Sequence, residues 1–198
     1  FPTRRSSDLT DREAEIIKAI GTGKTKHEIA QELYISERTL YNHIQSIYDK
    51  LGAKNAIEAY NKAYEMDPKT ADKVKEGLKQ ISDFCSQVGN TGIDTGNYAD
   101  AADAYALAFE AQSSPAHGNP EPALLYYAGY LLTVDGSNNP KSFAKGGEYL
   151  TKAIDLGYAD EEGNIYYYLF HCLYGQKDLD KGNIMKAKDV LLTGIGKF

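Results

Sequence analysis

Residues 9–63 read LTDREAEIIKAIGTGKTKHEIAQELYISERTLYNHIQSIYDKLGAKNAIEAYNKA, and this stretch decides the fold. Thr10 or Asp11 can cap a helix with Glu13 in its first turn, and Ala14, Ile16, Ile17 and Ile20 recur at helical spacing until Gly21-Thr22-Gly23 stops them. Thr25 opens a second helix with Ile29, Ala30 and Leu33 facing inward, closing at Leu33-Tyr34-Ile35. Ser36 caps a third, longer one, with Glu37 and Arg38 in its first turn and Leu40, Ile44, Ile47, Tyr48 and Leu51 along one face. Two helices joined by a tight turn, the second longer, predict a helix-turn-helix.

The landmarks Leu9-Thr10-x-Arg12-Glu13, Glu28-Ile29-Ala30, Ile35-Ser36-x-x-Thr39, His43 and Lys50-Leu51-Gly52, all in register, resemble the LuxR-type (GerE-like) DNA-binding domain. The resemblance implies a four-helix domain over 9–66, sequence-specific binding of double-stranded DNA in transcription regulation, and a fourth helix that helps a homodimer form on DNA. With the third helix in the major groove, Arg38, Tyr41, Asn42 and Gln45 are expected at base edges: amides suit adenine, and guanidinium suits guanine or phosphate. Lys24, Lys26, His43, Ser46 and Lys50, at the turn and flanks, are expected at the DNA backbone. Similar sequences often carry a basic residue where Tyr41 stands, so this position should read a different base or rely more on stacking and methyl contact. Residues 10–63 carry equal numbers of basic and acidic side chains, which predicts modest non-specific affinity. Gly21-Thr22-Gly23-Lys24-Thr25 is not a phosphate-binding P-loop, because Lys18 occupies the place of its first glycine and a helix precedes it.

After Pro68 the chain becomes acidic and tyrosine-rich, with helix pairs separated by Gly, Asn and Pro clusters; residues 64–198 hold 12 basic and 19 acidic side chains, an unsuitable DNA surface. Val88-Gly89-Asn90, Gly96, Tyr98, Ala101, Tyr105 and Ala108 resemble the tetratricopeptide (TPR) spacing. Looser copies run from Leu125, Ala128 and Gly129 into Phe143, Gly146, Leu150 and Ala153, and from Tyr168, His171 and Cys172 into Ile184, Ala187 and Leu191. The expected fold class is therefore all-α: a LuxR-type domain, then over 67–198 an α-solenoid of about three TPR-like hairpins. Polar inserts at 113–122, 135–140 and 176–182 are expected along one edge, and tyrosines including Tyr126, Tyr127, Tyr130, Tyr149, Tyr166, Tyr167, Tyr168 and Tyr174 are candidates for a groove that takes a protein or peptide partner.

Ala56, Ala59, Tyr60, Ala63 and Pro68 serve both patterns, as a pairing helix or as the second helix of a repeat, and one apolar face cannot fully do both. Residues 1–8 match the translation of a sequencing adapter and are set aside as non-native. Cys85 and Cys172, without CxxC spacing, are expected as buried thiols. No nucleophile–base pair, catalytic carboxylate pair or metal-ligand spacing stands out, so neither enzyme activity nor a cofactor nor a metal is expected, and the lack of a long apolar run predicts a cytoplasmic chain with no membrane partner. Two alternatives stay open: a TPR scaffold with no DNA role, and a chain that is truncated or joined from two genes.

Overall fold

The computed structural model describes residues 10–20, 26–40, 42, 43, 46 and 53–197, and the regular elements among them are all helical. The N-terminal unit holds α1 (Asp11–Ile20), α2 (Lys26–Glu32) and α3, whose described residues are 37–40, 42, 43 and 46. Next come α4 (Ala53–Met66), a 3-10 turn (Pro68–Thr70) and α5 (Ala71–Thr95). Five helices follow: α6 (Tyr98–Gln112), α7 (Pro122–Gly136), α8 (Ser142–Asp155), α9 (Asn164–Gly175) and α10 (Gly182–Lys197). The stop expected at Gly21-Thr22-Gly23 and the landmark Lys50-Leu51-Gly52 lie outside the described residues.

Local chemistry sets the ends of these helices. Asp67 accepts the Lys69 amide at 3.1 Å, and Pro68 opens the 3-10 turn without an amide proton to satisfy. Gly96 closes α5 at φ +75°, and the next amide, Asn97, bonds to the Gly92 carbonyl at 2.8 Å. Asp160 accepts the amides of Asn164 at 2.7 Å and Ile165 at 3.0 Å, satisfying donors that the first turn of α9 would otherwise leave open.

From α4 onward each helix packs on the next, α4 also meets α6, and α7 also meets α9. Links this short make sequential neighbours antiparallel. The crossings run through small residues: a Cβ at Gly89 would stand 2.7 Å from Cε2 of Tyr105, and one at Gly129 would stand 2.9 Å from the Gly146 carbonyl oxygen. Ala101, Ala108, Ala128 and Ala153 are fully buried between Leu78, Leu125, Leu131, Leu150 and Ile165 in one continuous core. The Gly89–Tyr105 and Gly129–Leu150 pairs read from the sequence thus meet at crossings, whereas Ile184 and Leu191 of the third copy are exposed. The polar inserts do not share an edge: 113–121 joins α6 to α7, whereas 137–141 and 176–181 each follow an odd-numbered helix, so antiparallel alternation puts the first at the opposite end.

α4 gives its apolar face to α5. Ile57 is buried with Val74 and Leu78, and the Tyr60 ring fills the space a side chain at Gly77 would take. Ala56 is half-buried, Ala63 is exposed, and Ala59 lies in the same helix. A second cluster joins Ile16, Ile29, Ala30 and Leu40 of the N-terminal helices to Val88 and Ala104, with Phe84 against it. α5 and α6 therefore complete the N-terminal core.

Gly129→Ala adds a methyl against rigid backbone. The resulting overpacking, about 1–3 kcal/mol, exceeds the roughly 1 kcal/mol alanine gains in helix propensity, so the urea midpoint of the full chain should fall; an unchanged or higher midpoint would contradict this packing. Both cysteines are buried, and desolvation pushes the Cys85 thiol up to about 12 and the Cys172 thiol to about 11, the latter opposed by its hydrogen bond with Thr133. Unfolded thiols ionise first, so their contribution to stability is intact below a pH of about 9 and is lost as pH climbs through 11 to 12. Replacing both with alanine should flatten the alkaline fall of the melting temperature, measured by circular dichroism.

Candidate nucleic-acid interface

Thr10 and Glu13 form a capping box at the start of α1. The Glu13 amide donates to Oγ1 of Thr10 at 3.2 Å, while Oε2 of Glu13 accepts from the Thr10 amide at 2.6 Å and its hydroxyl at 2.8 Å. The carboxylate does more than cap. Glu13 is buried, and its Oε1 accepts the Ser46 hydroxyl from α3 at 2.7 Å, which ties the first turn of α1 to α3. Arg12 adds a second tie by donating to the Leu33 carbonyl in the turn, and it also pairs with Glu15 at 2.8 Å.

The turn between α2 and α3 closes on backbone bonds from Ile35 to Ala30 at 3.0 Å and from Tyr34 to Gln31 at 3.1 Å. Tyr34 sits there at φ +53° with 96% of its surface exposed. Ser36 then caps α3, its Oγ accepting the Thr39 amide at 3.0 Å and sharing a proton with the Thr39 hydroxyl at 2.8 Å. Leu40 points fully into the core beside Ile16. That fixes the rotation of α3 and turns Arg38 and Asn42, four residues apart on one face, out to solvent.

Of the residues expected at bases, Arg38 and Asn42 are thus side by side and exposed, and Tyr41 and Gln45 lie outside the described residues. Among those expected at phosphates, Lys26 opens α2, His43 is half-buried on α3, and Lys24 and Lys50 lie outside the described residues. Ser46, also expected at the DNA backbone, is half-buried on α3 and donates its hydroxyl to Oε1 of Glu13 at 2.7 Å. Sequence reasoning saw Glu13 as a first-turn residue but missed its bond across to α3, and it missed the chain from Gln31 through His27 to Glu37, with contacts of 2.9 and 2.8 Å. A threonine three residues before a glutamate signals the capping box; nothing local signals a partner 33 residues away.

Residues 7–63 match the family described as bacterial regulatory proteins, luxR family. The chain is 47% identical over 51 residues to the spore germination protein GerE of Bacillus subtilis, a stretch that is 26% of this chain and 69% of that protein. The chain belongs to the luxR family. This luxR-family segment is also 45% identical over 60 residues to the transcriptional regulatory protein DesR of Bacillus subtilis, 30% of each chain, and 47% identical over 58 residues to the transcriptional activator protein SolR of Ralstonia nicotianae, 29% of this chain and 25% of that one. The chain spans about 30% of the length of DesR, so the likeness belongs to the helix-turn-helix and not to the array after it. No solved structure matches the chain. Among the described residues no helix is long and apolar enough to cross a membrane.

Glu13→Ala removes the cap and leaves the Thr10 amide and Ser46 hydroxyl without their acceptor, an expected loss of roughly 1–3 kcal/mol. Amide hydrogen exchange in the full chain should show it in α1 and α3, with α7 to α10 unaffected; uniform loss of protection would refute a local role.

Proposed function

We propose that this luxR-family chain is a sequence-specific transcription regulator that reads double-stranded DNA through α3 and binds a protein partner through its helical array. The observation that carries the first part is the rotation of α3: Leu40 is locked in the core, so Arg38 and Asn42 face outward together. On this reading Arg38, Tyr41, Asn42 and Gln45 meet base edges in the major groove, and Lys24, Lys26, His43, Ser46 and Lys50 meet the DNA backbone. The names of DesR and SolR, a transcriptional regulatory protein and a transcriptional activator, support this assignment.

The array is proposed to be TPR-like. Serial packing, contact between α7 and α9, and the Gly89–Tyr105 and Gly129–Leu150 crossings support it. A homodimer on DNA would have to use the side of α4 that α5 leaves open, where Glu58, Lys62 and Ala63 are exposed.

Duplex binding by the full chain, followed by fluorescence anisotropy at two salt concentrations, tests the DNA role. Affinity should fall steeply with salt, and Asn42→Ala should cost about 1–3 kcal/mol on the preferred site while relaxing discrimination at one base. Weak binding indifferent to salt would leave a scaffold without a DNA role.

A further inference from the structure

Tyrosines of the array form a connected ladder, buried at its Tyr105 end and exposed at Tyr127 and Tyr167. Tyr105 lies 5.7 Å from Tyr127, Tyr127 lies 5.4 Å from Tyr126, and Tyr126 stacks on Tyr158 at 4.7 Å and approaches Tyr168 at 6.2 Å (ring centroids throughout). Tyr168 continues to Tyr130 at 4.8 Å and to Tyr167 at 5.5 Å. The hydroxyl of Tyr105 donates to Oδ1 of Asn90 at 2.7 Å, so the ladder runs from α5 and α6 across α7 to α9. Tyr127 and Tyr167 are 45% and 52% exposed, far more than core packing requires.

The segments that carry this ladder are acidic, although two of their carboxylates, Asp83 and Asp103, pair with Lys79 and Lys145. All seven tyrosines come from residues 80–140 and 153–176, two stretches that hold no lysine or arginine and eleven aspartates and glutamates. Asp94 near Tyr105, and Asp160 near Tyr126, Tyr158 and Tyr168, raise the pKa of those phenols further, beyond the larger effect of burial. Elsewhere the fold pairs tyrosine with lysine: Lys145 lies over Tyr149 at 5.7 Å, Lys177 over Tyr174 at 4.4 Å and Lys197 over Tyr166 at 5.0 Å. Among the described residues, no lysine or arginine lies over a ring of the ladder.

We propose that this tyrosine surface across α7 and α9 is a docking site for an arginine-rich segment of a partner protein. A guanidinium stacks flat on a phenol ring and also forks to a carboxylate, so it meets both chemistries present; a lysine offers only a point charge. The proposal rests on the reading of the array as an interaction module and adds the chemistry of what it binds.

The test is a titration of the full chain with labelled arginine–glycine, lysine–glycine, glutamate–glycine and neutral proline-rich peptides at about 150 mM salt, where long-range attraction is screened. The arginine peptide should bind best. The double variant Tyr127→Ala/Tyr167→Ala should weaken it about tenfold or more, and Tyr127→Phe/Tyr167→Phe should restore binding, because the ring and not the hydroxyl does the work. Circular dichroism checks that both variants stay helical; a melted alanine variant is replaced by single alanine changes, whose effects on binding are then read instead. Equal affinity in a folded alanine variant would overturn the proposal, as would preference for the glutamate peptide. Preference for the proline-rich peptide, or self-association that the tyrosine variants abolish, would also overturn it but leave an interaction module standing.

Discussion

α5 has to serve three neighbours, and the rest of the structure depends on how it does so. Gly77 makes room for the Tyr60 ring of α4, Gly89 and Gly92 let Tyr105 and Ala101 of α6 come close, and Phe84 and Val88 face the helix-turn-helix. A 25-residue helix exposes enough surface for all three only if its bulk is removed where other helices cross. The glycines carry a cost in helix propensity, offset by the burial of Ile57, Leu78 and Cys85 that close approach permits.

What could be read from the sequence was what is encoded locally. Thr10 with Glu13 and Ser36 with Thr39 are caps whose partners lie three residues away, and the structure forms both. The spacings around Gly89 and Gly129 also reported true crossings, because a crossing needs a gap on one helix and a filler on the next. The fate of α4 was not legible. Ile57 and Tyr60 have the spacing for either of two partners, and the choice was made by Gly77, Val74 and Leu78 on another helix. The bond from Ser46 to Glu13 was not legible for the same reason, since its acceptor is 33 residues away in sequence. The arrangement of inserts failed on parity: helix order, not insert composition, determines the end of the array at which each emerges.

The two candidate surfaces differ in kind. On α3 a cation and an amide stand together on a helix of a near-neutral unit, suited to a groove whose charge comes from the ligand. On α7 and α9 aromatic rings lie among carboxylates, suited to a ligand that brings positive charge.

The N-terminal cluster of Ile16, Ile29, Ala30 and Leu40 is finished by Val88 and Ala104. Val88 and Ala104 give the N-terminal helices part of their apolar burial, so a ligand that stabilises α5 and α6 also favours the packed form of that cluster by mass action, a coupling confined to the shared contact that requires no change of shape.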